Sequence, residues 1–163
     1  MKVLVFGNSG SGKSTYARSL AVRHELAHLD LDSIVWEPGK IAVQRSTEAI
    51  SSSLNDFLAT RTAWVIEGCY GDLVQAASTH CAQVVFLNPG LAACQANNLA
   101  RPWEPHKYAS QEQQNAMLAN LQIWVADYYH RADAWSCVSH RQIFDAFAGA
   151  KVEHCEPIGY ASN

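Results

Sequence analysis

Apolar positions along this chain follow two periods that replace one another in turn. Short, mostly apolar runs lie at 2–6, 63–66 and 82–87, with a briefer one at 27–31, and each has the length of a strand. Between them, apolar residues recur every three to four positions. Tyr16, Ala17, Leu20 and Ala21 share one face of a helix that starts at Lys13. Ile50, Leu54 and Leu58 form a stripe over 47–58, a further helix is predicted over 71–78, and another begins after Pro89. The longest helix covers 111–129 and turns Met117, Leu121, Trp124, Val125 and Tyr128 inward. Ser136 is placed to cap a last helix that reaches Phe147 and stops before Gly149, and 151–155 reads as a fifth strand. The run at 82–87 is almost wholly apolar, as expected of a central strand buried on both faces. Strands alternating with helices predict an α/β fold: a three-layer αβα sandwich around a mostly parallel five-stranded sheet with right-handed crossovers. Ligands of such folds sit beyond the carboxyl ends of the strands, so the strand ends are the places to look for chemistry.

The 163 residues make one domain over 1–163, with no repeat and no linker, because Gly and Pro are dispersed. Charged residues are 17% of the chain and the net charge is −3, with Lys and Arg scattered singly. That balance argues against a nucleic-acid partner, which would need a basic patch. No apolar run is long enough to span a membrane. The five cysteines are never spaced C-x-x-C, and with no signal peptide in view they are read as reduced thiols in a cytoplasmic protein.

The most specific feature is Gly7-Asn8-Ser9-Gly10-Ser11-Gly12-Lys13-Ser14, directly after the first strand and opening the first helix. This is the G-x-x-x-x-G-K-[ST] phosphate loop in the strand-loop-helix setting it requires. Its glycines let successive backbone N–H groups converge on phosphate oxygens, and the helix start adds its positive end. Lys13 reaches the β- and γ-phosphates and the Ser14 hydroxyl helps hold Mg²⁺. The nucleotide, ATP or another nucleoside triphosphate, is assigned to Gly7, Asn8, Ser9, Gly10, Ser11, Gly12, Lys13, Ser14 and Tyr16.

Asp30 and Asp32 end the second strand two residues apart, a spacing that puts both on one face. One carboxylate can hold Mg²⁺, a role given to Asp30, while Asp32 orients an acceptor hydroxyl and takes its proton. The plainer alternative is a polar strand end whose Asp residues cap the next turn. Glu67 closes the third strand before Gly68, where it can meet Mg²⁺ hydration or substrate; Gly68 and Gly71 would let a substrate approach the backbone. Asp72 is a candidate cap of the next helix. Arg101, opening the proline-bearing loop 101–110, and Arg131, after the long helix, are candidates to neutralise the transferring phosphate. Lys107 is a weaker one, and Arg45 is placed to meet an anionic acceptor. The prolines, and a flank at 97–100 that offers few anchors, predict a lid over about 98–110.

These residues resemble the adenylate-kinase and shikimate-kinase branch of P-loop kinases. More narrowly, they resemble the small bacterial kinase-like proteins labelled DNA topology modulation proteins. The resemblance rests on the phosphate loop, on Leu29-Asp30-Leu31-Asp32 followed by Trp36-Glu37-Pro38-Gly39, and on Trp64-Val65-Ile66-Glu67-Gly68-Cys69-Tyr70. It implies a P-loop NTPase fold of the nucleoside/nucleotide kinase type, a mobile lid, and transfer of the γ-phosphoryl group to a small-molecule or nucleotide acceptor. The adenylate-kinase Asp-Gly-Phe-Pro-Arg segment is replaced here by Glu67-Gly68-Cys69-Tyr70-Gly71, so its monophosphate-binding arginine is missing; the shikimate-kinase glycine triplet is missing too. The second reading is a regulatory nucleotide-binding module with slow or no hydrolysis. The lid together with the Asp pair separates the two, since a pure switch has no need of an acceptor pocket.

Overall fold

A computed structural model describes residues 1–40, 42–105 and 108–159. Five parallel strands form one sheet: β1 (Lys2–Gly7), β2 (Ala27–Asp30), β3 (Trp64–Gly68), β4 (Gln83–Leu87) and β5 (Ala150–His154), in the order β2-β3-β1-β4-β5. The helices are α1 (Lys13–His24), α2 (Asp32–Val35), α3 (Thr47–Thr60), α4 (Gly71–Ser78), α5 (Leu91–Leu99), α6 (Gln111–Asp127) and α7 (Cys137–Ala146).

Side chains alternate across each strand, so every central strand feeds two cores. Leu4, Phe6, Ile66, Val84 and Phe86 meet residues of α2, α3, α4 and α7 on one face of the sheet. Val3, Val5, Val65, Val85 and Leu87 meet Ala17 of α1, with Tyr16, Leu20 and Ala21 packed around them, on the other. Burial of each such side chain contributes about 1.5–3 kcal/mol, which makes these two layers the main source of stability. The three-layer αβα sandwich with a five-stranded parallel sheet is therefore as the periodicity predicts, and β4 is buried on both faces. Ser46, Ser110 and Ser136 cap α3, α6 and α7 by accepting the N–H of Ala49, Gln113 and Ser139.

Two boundaries differ in a way that matters. β2 stops at Asp30 and the one-turn helix α2 follows, where the sequence pattern suggested a strand to residue 31. The cause is local: Asp30 Oδ1 accepts the Asp32 N–H at 2.9 Å and the Ser33 hydroxyl donates to the Asp30 carbonyl at 2.7 Å. Asp side chains that bond the backbone two residues on start turns in this way. The long helix ends at Asp127, yet Tyr128 is still fully buried, as its place on the inward stripe requires.

Candidate active site

β1 delivers the chain into the phosphate loop at the carboxyl edge of the sheet, and α1 leaves it. Gly7, Gly10 and Gly12 all have positive φ (151°, 78° and 95°), which lets the backbone turn back on itself. At Gly10 a Cβ would lie 2.2 Å from the Cys94 carbonyl oxygen, so the loop can follow this path against α5 only with glycine there. The loop is tied down from outside. Asn97 Nδ2 donates to the Gly10 carbonyl at 2.8 Å, the Ser9 hydroxyl donates to Asn98 Oδ1 at 3.4 Å, and Asn8 Nδ2 donates to the Val125 carbonyl at 3.0 Å. Lys13 is nearly buried and donates from Nζ to the Asn8 carbonyl at 2.8 Å, inside the curl of the loop. Such a cradle, with a lysine at its mouth and a helix start behind it, suits a chain of phosphates.

Beside it stand three carboxylates. Asp30 and Glu67 are register partners on adjacent strands, and Glu67 pairs with Val5 on its other side, so Glu67 lies on the α1 face near Lys13 and Ser14. Glu67 is 2% exposed, and its buried Oε1 has no hydrogen-bond partner among the described residues; His28 Nε2, also buried and unpartnered, is 3.9 Å away. Burial pushes the Glu67 carboxyl up to about 7, helped by the Asp30 charge and, less, by Asp32; Lys13 and the Ser14 hydroxyl pull it back. A buried oxygen without a donor beside two further carboxylates and a hydroxyl is an arrangement a hard divalent cation would relieve. Among the described residues no three His, Cys, Asp or Glu side chains close on one point. A small octahedral cation would therefore take only one or two carboxylates here and draw its other oxygens from Ser14, water and phosphate.

Asp32 is placed by its helix rather than by strand alternation. It opens α2, where Oδ1 accepts a 2.5 Å hydrogen bond from the Tyr70 hydroxyl, which in turn accepts from Trp36 Nε1 at 2.7 Å. The shared-face argument for Asp30 and Asp32 is thus corrected: the Asp30 cap ends the strand between them, and Asp30 takes on the turn-capping role of the plainer alternative. Both still act on Glu67 electrostatically.

Tyr70 is also a wall of a 220 Å³ cleft between α3 and α4, with Trp135, Asp72, Thr47, Ser51 and Gln44 among its lining. Tyr70 is the α4 cap residue and makes no side-chain cap bond; Asp72 lies in the first turn and does not cap the helix. Gly68 and Gly71 leave no room for a substrate, correcting that expectation. A Cβ at Gly68 would meet Leu31 Cδ1 at 2.7 Å, and one at Gly71 would meet the Ala134 carbonyl at 1.9 Å, so this chain's own packing fills both spaces.

The remaining candidates are dispersed. Tyr16 packs in the α1 core layer and its ring meets His154 with centroids 5.7 Å apart. Arg45 Nη1 donates to the Ile34 carbonyl at 3.2 Å and to the Ser53 hydroxyl at 3.3 Å. Arg131 donates to the carbonyls of Trp124 and Trp135 at 3.1 and 3.0 Å, stacks 3.9 Å above the Trp124 ring and pairs with Asp133. In this conformation it fastens the α6–α7 connection. Arg101 lies in the loop after α5, 3.4 Å from Glu104 Oε2, and Lys107 lies outside the described residues. The flank of that loop is not weakly anchored, contrary to expectation, because Asn97 and Asn98 hold the phosphate loop.

Sequence reasoning missed those two asparagines, whose partners are 87 and 89 residues away. It also missed His140, fully buried between Phe6, Phe86 and Tyr128. His140 Nε2 lies 3.0 Å from the Cys69 carbonyl and Nδ1 lies 2.7 Å from the Tyr128 hydroxyl. Burial holds the imidazole down to about 4, so it is neutral; Nε2–H donates to Cys69 and Nδ1 accepts from Tyr128. It thereby fixes the Glu67–Tyr70 segment from below. The sole sequence signal was a histidine on the apolar stripe of a short helix.

No protein-family model matches the chain, and no curated protein matches it by sequence. Solved structures do match. A gluconokinase from Sinorhizobium meliloti 1021 is 16% identical over 96% of this chain and 83% of its own, with a TM-score of 0.54. A shikimate kinase from Acinetobacter baumannii in complex with shikimate is 18% identical over 87% of this chain and 90% of its own, with a TM-score of 0.45. A sugar kinase from Janibacter sp. HTCC2649 is 16% identical over 94% of this chain and 83% of its own, with a TM-score of 0.48. No helix of the described residues is long and apolar enough to cross a membrane. The chain has the α/β fold of the P-loop small-molecule kinases.

Proposed function

We propose that the protein is a phosphotransferase that moves the γ-phosphoryl group of a nucleoside triphosphate, ATP in the first instance, to a hydroxyl of a small acceptor. The observation that carries this reading is the Tyr70–Asp32 bond. It joins the carboxylate cluster beside Lys13 and Ser14 to a cleft outside the phosphate loop. A protein that only senses nucleotide has no use for a second cleft joined to its phosphate site by an oriented carboxylate.

In this reading the loop backbone and Lys13 grip the phosphates, and Lys13 follows the charge that develops as the phosphoryl group leaves. Ser14 with Glu67 and Asp30 would hold Mg²⁺, whose bound charge offsets that of the phosphate oxygens. Asp32, fixed by Tyr70, orients the acceptor hydroxyl and takes its proton. Phosphoryl transfer has a loose transition state, so such placement matters more than base strength. The loop after α5, with Arg101, closes over the phosphates and excludes water that would otherwise hydrolyse the nucleotide. The absence of a basic patch argues for a cellular role apart from nucleic acid, in the cytoplasm.

The test is a panel of hydroxyl compounds and nucleoside monophosphates incubated with ATP and Mg²⁺, scored by ADP release. Release that rises with one acceptor well above the hydrolysis background is expected. Nucleotide binding without any acceptor-dependent release would favour the regulatory reading instead.

A further inference from the structure

The lining of the acceptor cleft restricts what can enter it. Among its described residues the lining carries one formal charge, the Asp72 carboxylate, and no cation. Asp32 adds a second carboxylate directly behind the Tyr70 hydroxyl. Arg45, the residue that the sequence offered to an anionic acceptor, is turned to the Ile34 carbonyl and the Ser53 hydroxyl, and Arg131, offered to the transferring phosphate, is turned to the carbonyls of Trp124 and Trp135. An acceptor bearing a carboxylate or phosphate would meet like charge here and no cation among the described lining residues, a juxtaposition that disfavours such partners once water is displaced.

What the cleft does offer is uncharged hydrogen bonding and aromatic surface. Gln44, Thr47 and Ser51 supply an amide and two hydroxyls on one side. Tyr70 and Trp135 stand edge to face on the other, centroids 5.4 Å apart and planes at 85°, with Trp135 backed by Trp124 at 6.2 Å. Aromatic faces carry negative quadrupole charge and attract C–H edges and ammonium groups. The 220 Å³ volume falls below the roughly 300–1,000 Å³ of clefts that hold drug-sized ligands, which suits a small acceptor.

Building on the phosphotransferase reading, we infer that the acceptor is a small polyhydroxylated molecule without an anionic group: a neutral sugar or polyol, or its amine-bearing counterpart. Its hydroxyls face Gln44, Thr47, Ser51 and Asp72, and its C–H or ammonium face lies on Tyr70 and Trp135. One hydroxyl is directed to Asp32, whose carboxylate takes that proton as the hydroxyl oxygen bonds to the γ-phosphorus and the bond from phosphorus to the nucleoside diphosphate breaks.

The test measures binding apart from turnover. Tryptophan fluorescence and calorimetry are recorded with Mg²⁺ and a non-hydrolysable ATP analogue, against matched sets of neutral sugars, amino sugars, sugar acids and sugar phosphates, with nucleoside monophosphates alongside. Neutral or amino members should bind at least tenfold more tightly than their acid and phosphate counterparts. Asp72→Lys should narrow that preference tenfold or more, and Trp135→Ala should weaken the neutral ligands. Equal or tighter binding of the anionic members, or binding of no member at all, would overturn the inference. Selective binding with no acceptor-dependent ADP release would leave the selectivity standing and remove the phosphotransferase reading, so the two failures are distinct.

Discussion

The Tyr70 hydroxyl donates a 2.5 Å hydrogen bond to Asp32 Oδ1, across 38 residues of sequence. Burial and the Asp32 charge push the tyrosine's ionisation far above its ordinary range, so the hydroxyl remains a donor at any physiological pH. Hydrogen bonds to charged groups contribute about 1.5–3 kcal/mol. Tyr70→Phe should therefore lower acceptor-dependent kcat roughly tenfold to a hundredfold while nucleotide affinity changes less than about threefold. Steady-state kinetics with parallel nucleotide titration checks this. Equal losses in both would mean that Tyr70 supports the fold and does not orient Asp32.

Gly10 can be replaced only at the cost of the loop. A Cβ there would lie 2.2 Å from the Cys94 carbonyl and 2.7 Å from Asn98 Nδ2, at a φ of +78°. Gly10→Ala should weaken nucleotide binding at least a hundredfold by displacing the loop from α5, with a loss of roughly 1–3 kcal/mol in stability. Calorimetric titration together with urea unfolding reads both quantities. Unchanged affinity would show that the loop does not bind phosphate in this conformation.

Lys13→Ala removes a charge but no core side chain. Turnover should fall by about three orders of magnitude, with the circular dichroism spectrum unchanged. Retained turnover would take the phosphate site away from this loop.

Two buried groups titrate in opposite senses. Glu67, raised from 4.5 to about 7, binds its proton more tightly folded than unfolded, so its contribution to stability is lost as pH rises from 4.5 to 7. His140, lowered from 6.5 to about 4, binds its proton less tightly folded, so its contribution is lost as pH falls from 6.5 to 4. Over pH 4.5–6.5 the two slopes oppose, and the ligand-free protein should show little pH dependence from them. Glu67→Gln removes one slope, and its urea midpoint should climb across that window by the equivalent of about 2 kcal/mol. A variant as insensitive to pH as the parent would contradict the assignment. On the proposed reading Mg²⁺ would be held by the ionised form of Glu67, so the parent should need more Mg²⁺ below pH 7 than above it.

Arg101 lies 3.4 Å from Glu104 Oε2, and the lid closure proposed above would require it to leave that partner for the phosphates. Arg101→Ala should lower kcat at least tenfold with a smaller effect on nucleotide affinity. Hydrogen exchange in peptides over 99–105 should slow when ATP analogue, Mg²⁺ and acceptor are all present. Unaltered exchange would remove the lid.

The sheet was legible because the central strands bury two faces and the helices one, and both constraints write their pattern into the sequence. The phosphate loop was legible because its glycines answer a backbone requirement that no other residue meets. The lines that failed were those that assumed a strand keeps alternating, as at Asp30 and Asp32, where a side-chain cap starts a helix instead. Asn97, Asn98 and His140 left little trace, since each meets a partner more than 70 residues away, the Gly10 carbonyl, the Ser9 hydroxyl and the Cys69 carbonyl, and no local pattern records such a partner. Arg45 and Arg131 misled for a related reason: a guanidinium donates to carbonyls as well as to phosphates, and only the fold decides which are within reach.

The division of labour between the phosphate loop and Asp32 is tested most directly by Asp32→Asn, which keeps size and removes the charge. Acceptor-dependent ADP release and MgATP affinity are measured on the same preparation. Release should fall at least a hundredfold while the MgATP dissociation constant stays within about threefold of the parent. Release at the parental rate, or loss of MgATP binding in step with turnover, would contradict the assignment of Asp32 to the acceptor.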